Sequence, residues 1–164
     1  MIQMRTLLYL TLAASLASLA LALISQYGFG LTPCHLCIAQ RVPYALVIVL
    51  VLVGLAKPRY QVWICLMIAA AFLVDSGIAA YHTAVEQHWV EGPSSCTTGE
   101  AALVQSVDDF LKKIQSAPVV ACDQPQWEFH GITMAFMNAV WAFLLALATF
   151  IALKRSRRRE QSNA

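Results

Sequence analysis

The sequence predicts an all-α membrane protein: a four-transmembrane-helix bundle with a short first outer loop and a long second one. Composition is the first reason, since 59% hydrophobic and 12% charged residues is more apolar surface than a 164-residue soluble domain could hide in one core. Four apolar stretches are the second, at about 6–24, 37–56, 62–81 and 132–153, most of them approaching the ~20 residues a helix needs to cross a bilayer. The third is the placement of cations. Arg5, then Lys57 and Arg59, then Lys154, Arg155, Arg157, Arg158 and Arg159 all fall on one side of a four-helix topology, which marks that side as cytoplasmic.

The first stretch follows Arg5 and contains a small-x-small triplet, Ala20-Leu21-Ala22, so a cleaved secretory signal is one reading of it. Its apolar run exceeds the ~7–15 residues of a signal core, and it is read as a spanning helix. The second stretch is apolar only from Val42 and reaches spanning length if it starts near Cys37, taking Gln40 and Arg41 into its first turn. An arginine at that boundary is costly unless it snorkels, pairs or serves a ligand. The third stretch carries Asp75 and ends at Tyr81-His82-Thr83. Asp75 is an intramembrane carboxylate without an assigned partner, and His82 on its own reads as an interfacial histidine. The fourth leads into a basic tail, 154–164. Directly after a spanning helix such a tail orients the protein and meets lipid headgroups, so no nucleic-acid partner is inferred.

The outer loops are about 26–36 and 83–131. In the second, seven acidic residues face only Lys112 and Lys113. Thr97-x-x-Glu100 forms a capping box there, with Leu103, Val107, Phe110, Leu111 and Ile114 at helical spacing, so a short amphipathic helix is expected. The absence of any repeat or linker makes residues 1–164 a single membrane domain.

Four of the five cysteines, Cys34, Cys37, Cys96 and Cys122, fall on the outer side, and Cys65 lies within a span. Two static disulfides are the plain reading of the four. Cys34-His35-Leu36-Cys37 argues for exchange instead, because its two sulfurs sit three residues apart and close too small a loop to stabilise much through chain entropy. The pair opens a helix, where the dipole favours a thiolate, and Arg41 lies one turn beyond Cys37. These features place the stabilised thiolate on Cys37. A four-cysteine zinc site fits poorly, since Cys96 and Cys122 are far apart in sequence. The chain carries no dinucleotide fingerprint, and Ile38 stands where a c-type haem motif needs histidine. A lipid-soluble carrier is the electron acceptor that fits best.

Pro33-Cys34-x-x-Cys37-x-x-x-Arg41, Tyr81-His82-Thr83, Cys96, Cys122 and Trp127 together resemble the DsbB family of disulfide bond formation proteins, over nearly the full chain. The resemblance implies a bacterial inner-membrane thiol:quinone oxidoreductase with both termini cytoplasmic and both redox loops periplasmic. A DsbA-like thioredoxin-fold protein would attack Cys96 of a Cys96–Cys122 disulfide, and Cys122 would then attack Cys34. Cys37 would pass electrons to ubiquinone or menaquinone, with Arg41 and His82 on the quinone side. Two rival readings remain open at this point. One is a relative of the vitamin-K-epoxide-reductase type, whose redox pair lies late in the bundle rather than before the second helix. The other is a membrane scaffold stapled by fixed disulfides.

Overall fold

The computed structural model describes residues 2–93 and 121–162. Four long helices dominate: α1 (Ile2–Gly28), α3 (Arg41–Ala56), α4 (Gln61–Glu86) and α5 (Met134–Ser162), with the one-turn helix α2 (His35–Ala39) leading into α3. Four segments are long and apolar enough to span a membrane: Met4–Gly28, His35–Ala56, Pro58–Glu86 and Met134–Arg159. α2 and α3 thus act as one span broken at Gln40, and the polar start of the second helix supplies its missing length. Cys96 and the amphipathic capping-box segment lie outside the described residues.

Several boundaries differ from the sequence expectation. α1 runs to Gly28 and ends where Gly30 takes φ +69°, with the Leu31 N–H reaching the Ser25 carbonyl at 3.1 Å. α4 continues past Tyr81 to Glu86, because Val85 and Glu86 are buried against the outer segments. Ile132 and Thr133 are not helical. They form strand β2, paired antiparallel with β1 (Glu128–Phe129) across the two-residue turn His130-Gly131, whose φ values of 51° and 79° are those of a type I′ hairpin. Thr133 then caps α5, accepting the Phe136 N–H at 3.2 Å, as N-cap threonines do. At the other end α5 carries the basic tail as helix to Ser162.

The bundle is apolar on the outside. Leu10, Leu21, Trp63 and Val74 are all more than half exposed, which suits contact with lipid chains rather than water. Inside, Leu8, Val47, Val51, Ile68 and Phe72 form the core, and Cys65 sits among them fully buried, its thiol 3.8 Å from the Met4 sulfur. There it packs as a small apolar side chain.

Packing between apolar helices relies on small residues and interhelical hydrogen bonds. Gly54 lets α1, α3 and α4 close on one another: a Cβ there would lie 3.2 Å from both Leu8 and Ile64. Gln61 donates to the Gly54 carbonyl at 3.1 Å, filling an acceptor at the α3 C-terminus. Ser76 donates to the Ala139 carbonyl at 2.9 Å and Trp141 to the Ser18 hydroxyl at 3.1 Å. α4 packs most extensively on α5, α1 packs on α3, and the α1–α5 seam is the most thinly packed of these long-helix pairs.

Candidate functional site

Cys34 is the N-cap of α2. Its extended backbone (φ −75°, ψ 172°) lets the sulfur accept the Cys37 N–H at 3.2 Å, and the two sulfurs lie 2.7 Å apart. The two thiols have different surroundings. Cys34 is buried in a cluster with Val85 and Cys122, and Cys122 is itself disulfide-bonded. Cys37 is only partly buried and lines a cavity of about 490 Å³.

That cavity lies between α1 and α5. Ser18, Ala22 and Gln26 form one wall, Met137, Asn138 and Trp141 the other, and Cys37, Arg41, His82 and Glu86 the outer end. Its volume is that of a small-molecule pocket, with an apolar lining and a few convergent polar groups. Trp127, part of the motif that carries the family resemblance, lines it as well, brought there by the β1–β2 hairpin.

The electrostatics differ from the expectation that Cys37 carries the stabilised thiolate. Arg41 does not bond the dithiol. Its guanidinium donates to the Gln26 side chain at 2.7 Å and to the Ala22 carbonyl at 3.5 Å, which fixes it across the cavity against α1. The Cys37 thiol beside Cys34, then the His82 imidazole and the Cys37 backbone N–H, outweigh the effect of burial and draw Cys34 from 9.0 down to about 4. In the reduced pair the proton between the sulfurs therefore stays with Cys37.

His82 is 3% exposed rather than interfacial. Its Nε2 lies 3.5 Å from the Cys34 sulfur and 3.6 Å from the Glu86 carboxylate. Its Nδ1 accepts from the Gln40 amide at 2.8 Å. Cys34, Cys37 and His82 offer three donor atoms within 4.8 Å of one another. Sulfurs at 2.7 Å are nevertheless too close for one tetrahedral zinc, whose ~2.3 Å bonds hold two thiolates roughly 3.7 Å apart.

Three residues of the site were not singled out from sequence. Gln40 lies one turn after Cys37 and shares its face, a spacing that could have marked it. Glu86 is one turn beyond His82, but it was counted with the acidic loop because the helix was expected to stop sooner. Asn138 is a polar residue inside an apolar span, and the reasoning that flagged Asp75 applies to it equally. The structure now gives Asp75 its partner: Asn138 Nδ2 donates to its carboxylate at 3.2 Å. Of the expected site residues, Cys34, Cys37, Arg41, His82 and Cys122 come together at one end of the bundle.

The model of the family described as "Disulfide bond formation protein DsbB" matches residues 4–152. Disulfide bond formation protein B of Acidovorax sp. (strain JS42) is 32% identical over 167 residues, covering 94% of this chain and 90% of that protein. Its namesake from Xanthomonas axonopodis pv. citri (strain 306) is 34% identical over 146 residues, covering 85% of this chain and 84% of its own length. No solved structure matches the chain. The family match takes in the dithiol, the cavity walls on all four long helices and the hairpin that carries Trp127 to them. A multi-pass helical bundle with a dithiol at one end and matches of this extent belongs to the DsbB family of disulfide bond formation proteins.

Proposed function

We propose that this protein reoxidises a periplasmic DsbA-like dithiol and delivers the two electrons to membrane quinone, through Cys96 and Cys122 and then Cys34 and Cys37. One observation carries this reading: in a single Cys-x-x-Cys pair, Cys34 is buried beside Cys122 while Cys37 lines an apolar membrane cavity. A structural staple has no use for that division.

Each residue has a task in this scheme. The partner's thiolate attacks Cys96 and releases Cys122. Cys122 attacks Cys34, the sulfur it packs against, and the Cys34–Cys37 bond breaks with its electron pair on Cys37. Cys37 is thereby left as the thiolate at the cavity; the partner's second cysteine then displaces Cys96 and leaves oxidised, and Cys96 attacks Cys122, restoring their bond and releasing Cys34, so that Cys34 and Cys37 hold the electron pair as a dithiol. Cys34 is the sulfur attacked because it is the one buried beside Cys122, which makes Cys37 the departing sulfur.

The cavity residues fit a quinone: apolar walls for the ring and tail, with Arg41 and Gln26 placed among them as donors and His82 lining the same end. When bound, ubiquinone or menaquinone supplies an acceptor for two electrons and two protons. Arg41, held by Gln26, offers its positive charge to an oxygen at that end of the cavity. The cation distribution supports a bacterial inner-membrane location with both termini cytoplasmic and the redox loops periplasmic.

Anaerobic mixing of purified protein, ubiquinone and a reduced thioredoxin-fold partner tests the scheme. Quinol should form rapidly with the wild type, not at all with Cys37→Ser or Cys96→Ser, and more slowly with Arg41→Ala. Quinone that stays oxidised with the wild type, across several partners and with menaquinone too, would assign the disulfides a structural role.

A further inference from the structure

Asp75 takes no part in the scheme above, yet it is fully buried at membrane depth, where an ionisable group is expensive unless it is used. It begins a chain of side-chain hydrogen bonds that ends at the dithiol. Asn138 Nδ2 donates to the Asp75 carboxylate at 3.2 Å and to Gln40 Oε1 at 2.8 Å. Gln40 Nε2 meets His82 Nδ1 at 2.8 Å, and His82 Nε2 lies 3.5 Å from the Cys34 sulfur. Tyr44 donates to Asn138 Oδ1 at 2.7 Å, which occupies the other end of that amide.

The chain has a direction. A carboxyl C=O oxygen accepts in either protonation state, and an amide nitrogen only donates. The Asp75 carboxylate therefore turns Asn138 so that Nδ2 faces it, and Asn138 in turn holds the Gln40 oxygen toward itself. Gln40 is left with its nitrogen against His82, so Nδ1 must be bare and the ring proton must sit on Nε2. That N–H faces the Cys34 sulfur at 3.5 Å and the Glu86 carboxylate at 3.6 Å. Reversing the amides would put a lone pair there instead, facing a thiolate.

We propose that Asp75 is a positioning residue for the dithiol: through Asn138 and Gln40 it holds His82 as the tautomer protonated at Nε2, so that an N–H donor faces Cys34. The inference rests on the dithiol being the reactive centre, but not on the identity of the electron acceptor. The groups facing Cys34 are Cys37 from α2, His82 and Glu86 from α4, and the disulfide-bonded Cys122. Those facing Asp75 are Tyr44 from α3 and Asn138 from α5.

The test uses full-length reduced protein in nanodiscs, with neither quinone nor partner present. Nitrogen NMR of histidine-labelled protein reports which ring atom of His82 carries the proton, and mass-mapped alkylation against pH reports the Cys34 thiolate. Wild type should show the Nε2–H form. Asp75→Asn removes the bias and should give both tautomers. It should also move the Cys34 alkylation midpoint up by about one pH unit, which is tenfold less thiolate at a fixed pH below the midpoint.

Asn138→Leu breaks the next link and should do the same, which keeps the idea testable if Asp75→Asn does not fold. Gln40→Glu places an acceptor against Nδ1 and should shift the ring proton there with Asp75 intact. A His82 tautomer and a Cys34 midpoint that stay at wild-type values in the folded variants would overturn the proposal. Because no quinone enters the assay, that result is separate from any failure of quinone reduction.

Discussion

Cys34 lies at a junction where a backbone N–H, a second thiol and an imidazole converge on one sulfur, and its depressed pKa has a consequence for stability. A group whose folded value is below its unfolded value contributes stability that is present above the unfolded pKa and is lost as pH falls through the folded one. For Cys34 that window runs from 9.0 down to about 4. Reduced protein should therefore lose stability across this range relative to the form in which Cys34 and Cys37 are joined, where neither thiol titrates. Denaturation of both forms at a series of pH values, taken as a difference, isolates the effect.

Arg41 makes a second prediction at this scale. If Gln26 acts by holding Arg41, then Gln26→Leu and Arg41→Ala should each weaken quinone reduction, but the double variant should be little worse than Arg41→Ala alone. A double-mutant cycle on KM for quinone should give a coupling of about 0.5–3 kcal/mol. Additive effects would mean that Gln26 acts on the cavity independently.

The hairpin β1–β2 is the element whose existence was least legible, because two-residue strands leave no periodic pattern and the apolar run from Ile132 reads as the start of a helix. His130 and Gly131 were the available clue, since a type I′ turn accepts few residues at positive φ. Replacing His130 with valine should cost about 1–2 kcal/mol in that conformation, seen as a lower unfolding midpoint in detergent, and should loosen Trp127 at the cavity. Thr133→Ala should cost a further ~1 kcal/mol by removing the α5 cap. By contrast, α1, α4 and α5 were visible as apolar runs of spanning length, and the CxxC signal placed the start of the second span near its observed position. The dithiol and Arg41 were readable from spacing. Gln40, Glu86 and Asn138 were not, because their roles depend on contacts between helices that no local pattern encodes.

At the scale of the whole molecule, the bundle is held by close helix approach as much as by side-chain volume. Gly54 is the tightest point, with Leu8 and Ile64 both 3.2 Å from where a Cβ would stand. Gly54→Val should destabilise the bundle by about 1–3 kcal/mol through overpacking, measured as a loss of thermal stability in nanodiscs. The α1–α5 seam, by comparison, meets across the cavity rather than through dense packing.

In the proposed relay, the different surroundings of Cys34 and Cys37 have a kinetic corollary. A relay whose two sulfurs serve separate compartments lets each substrate meet its own side of the enzyme alone, with the electron pair stored in sulfur bonds in between. No ternary complex is required. Steady-state measurements should then follow a ping-pong pattern, in which kcat/KM for the partner thiol is independent of how much quinone the membrane holds, and kcat/KM for quinone is independent of the partner.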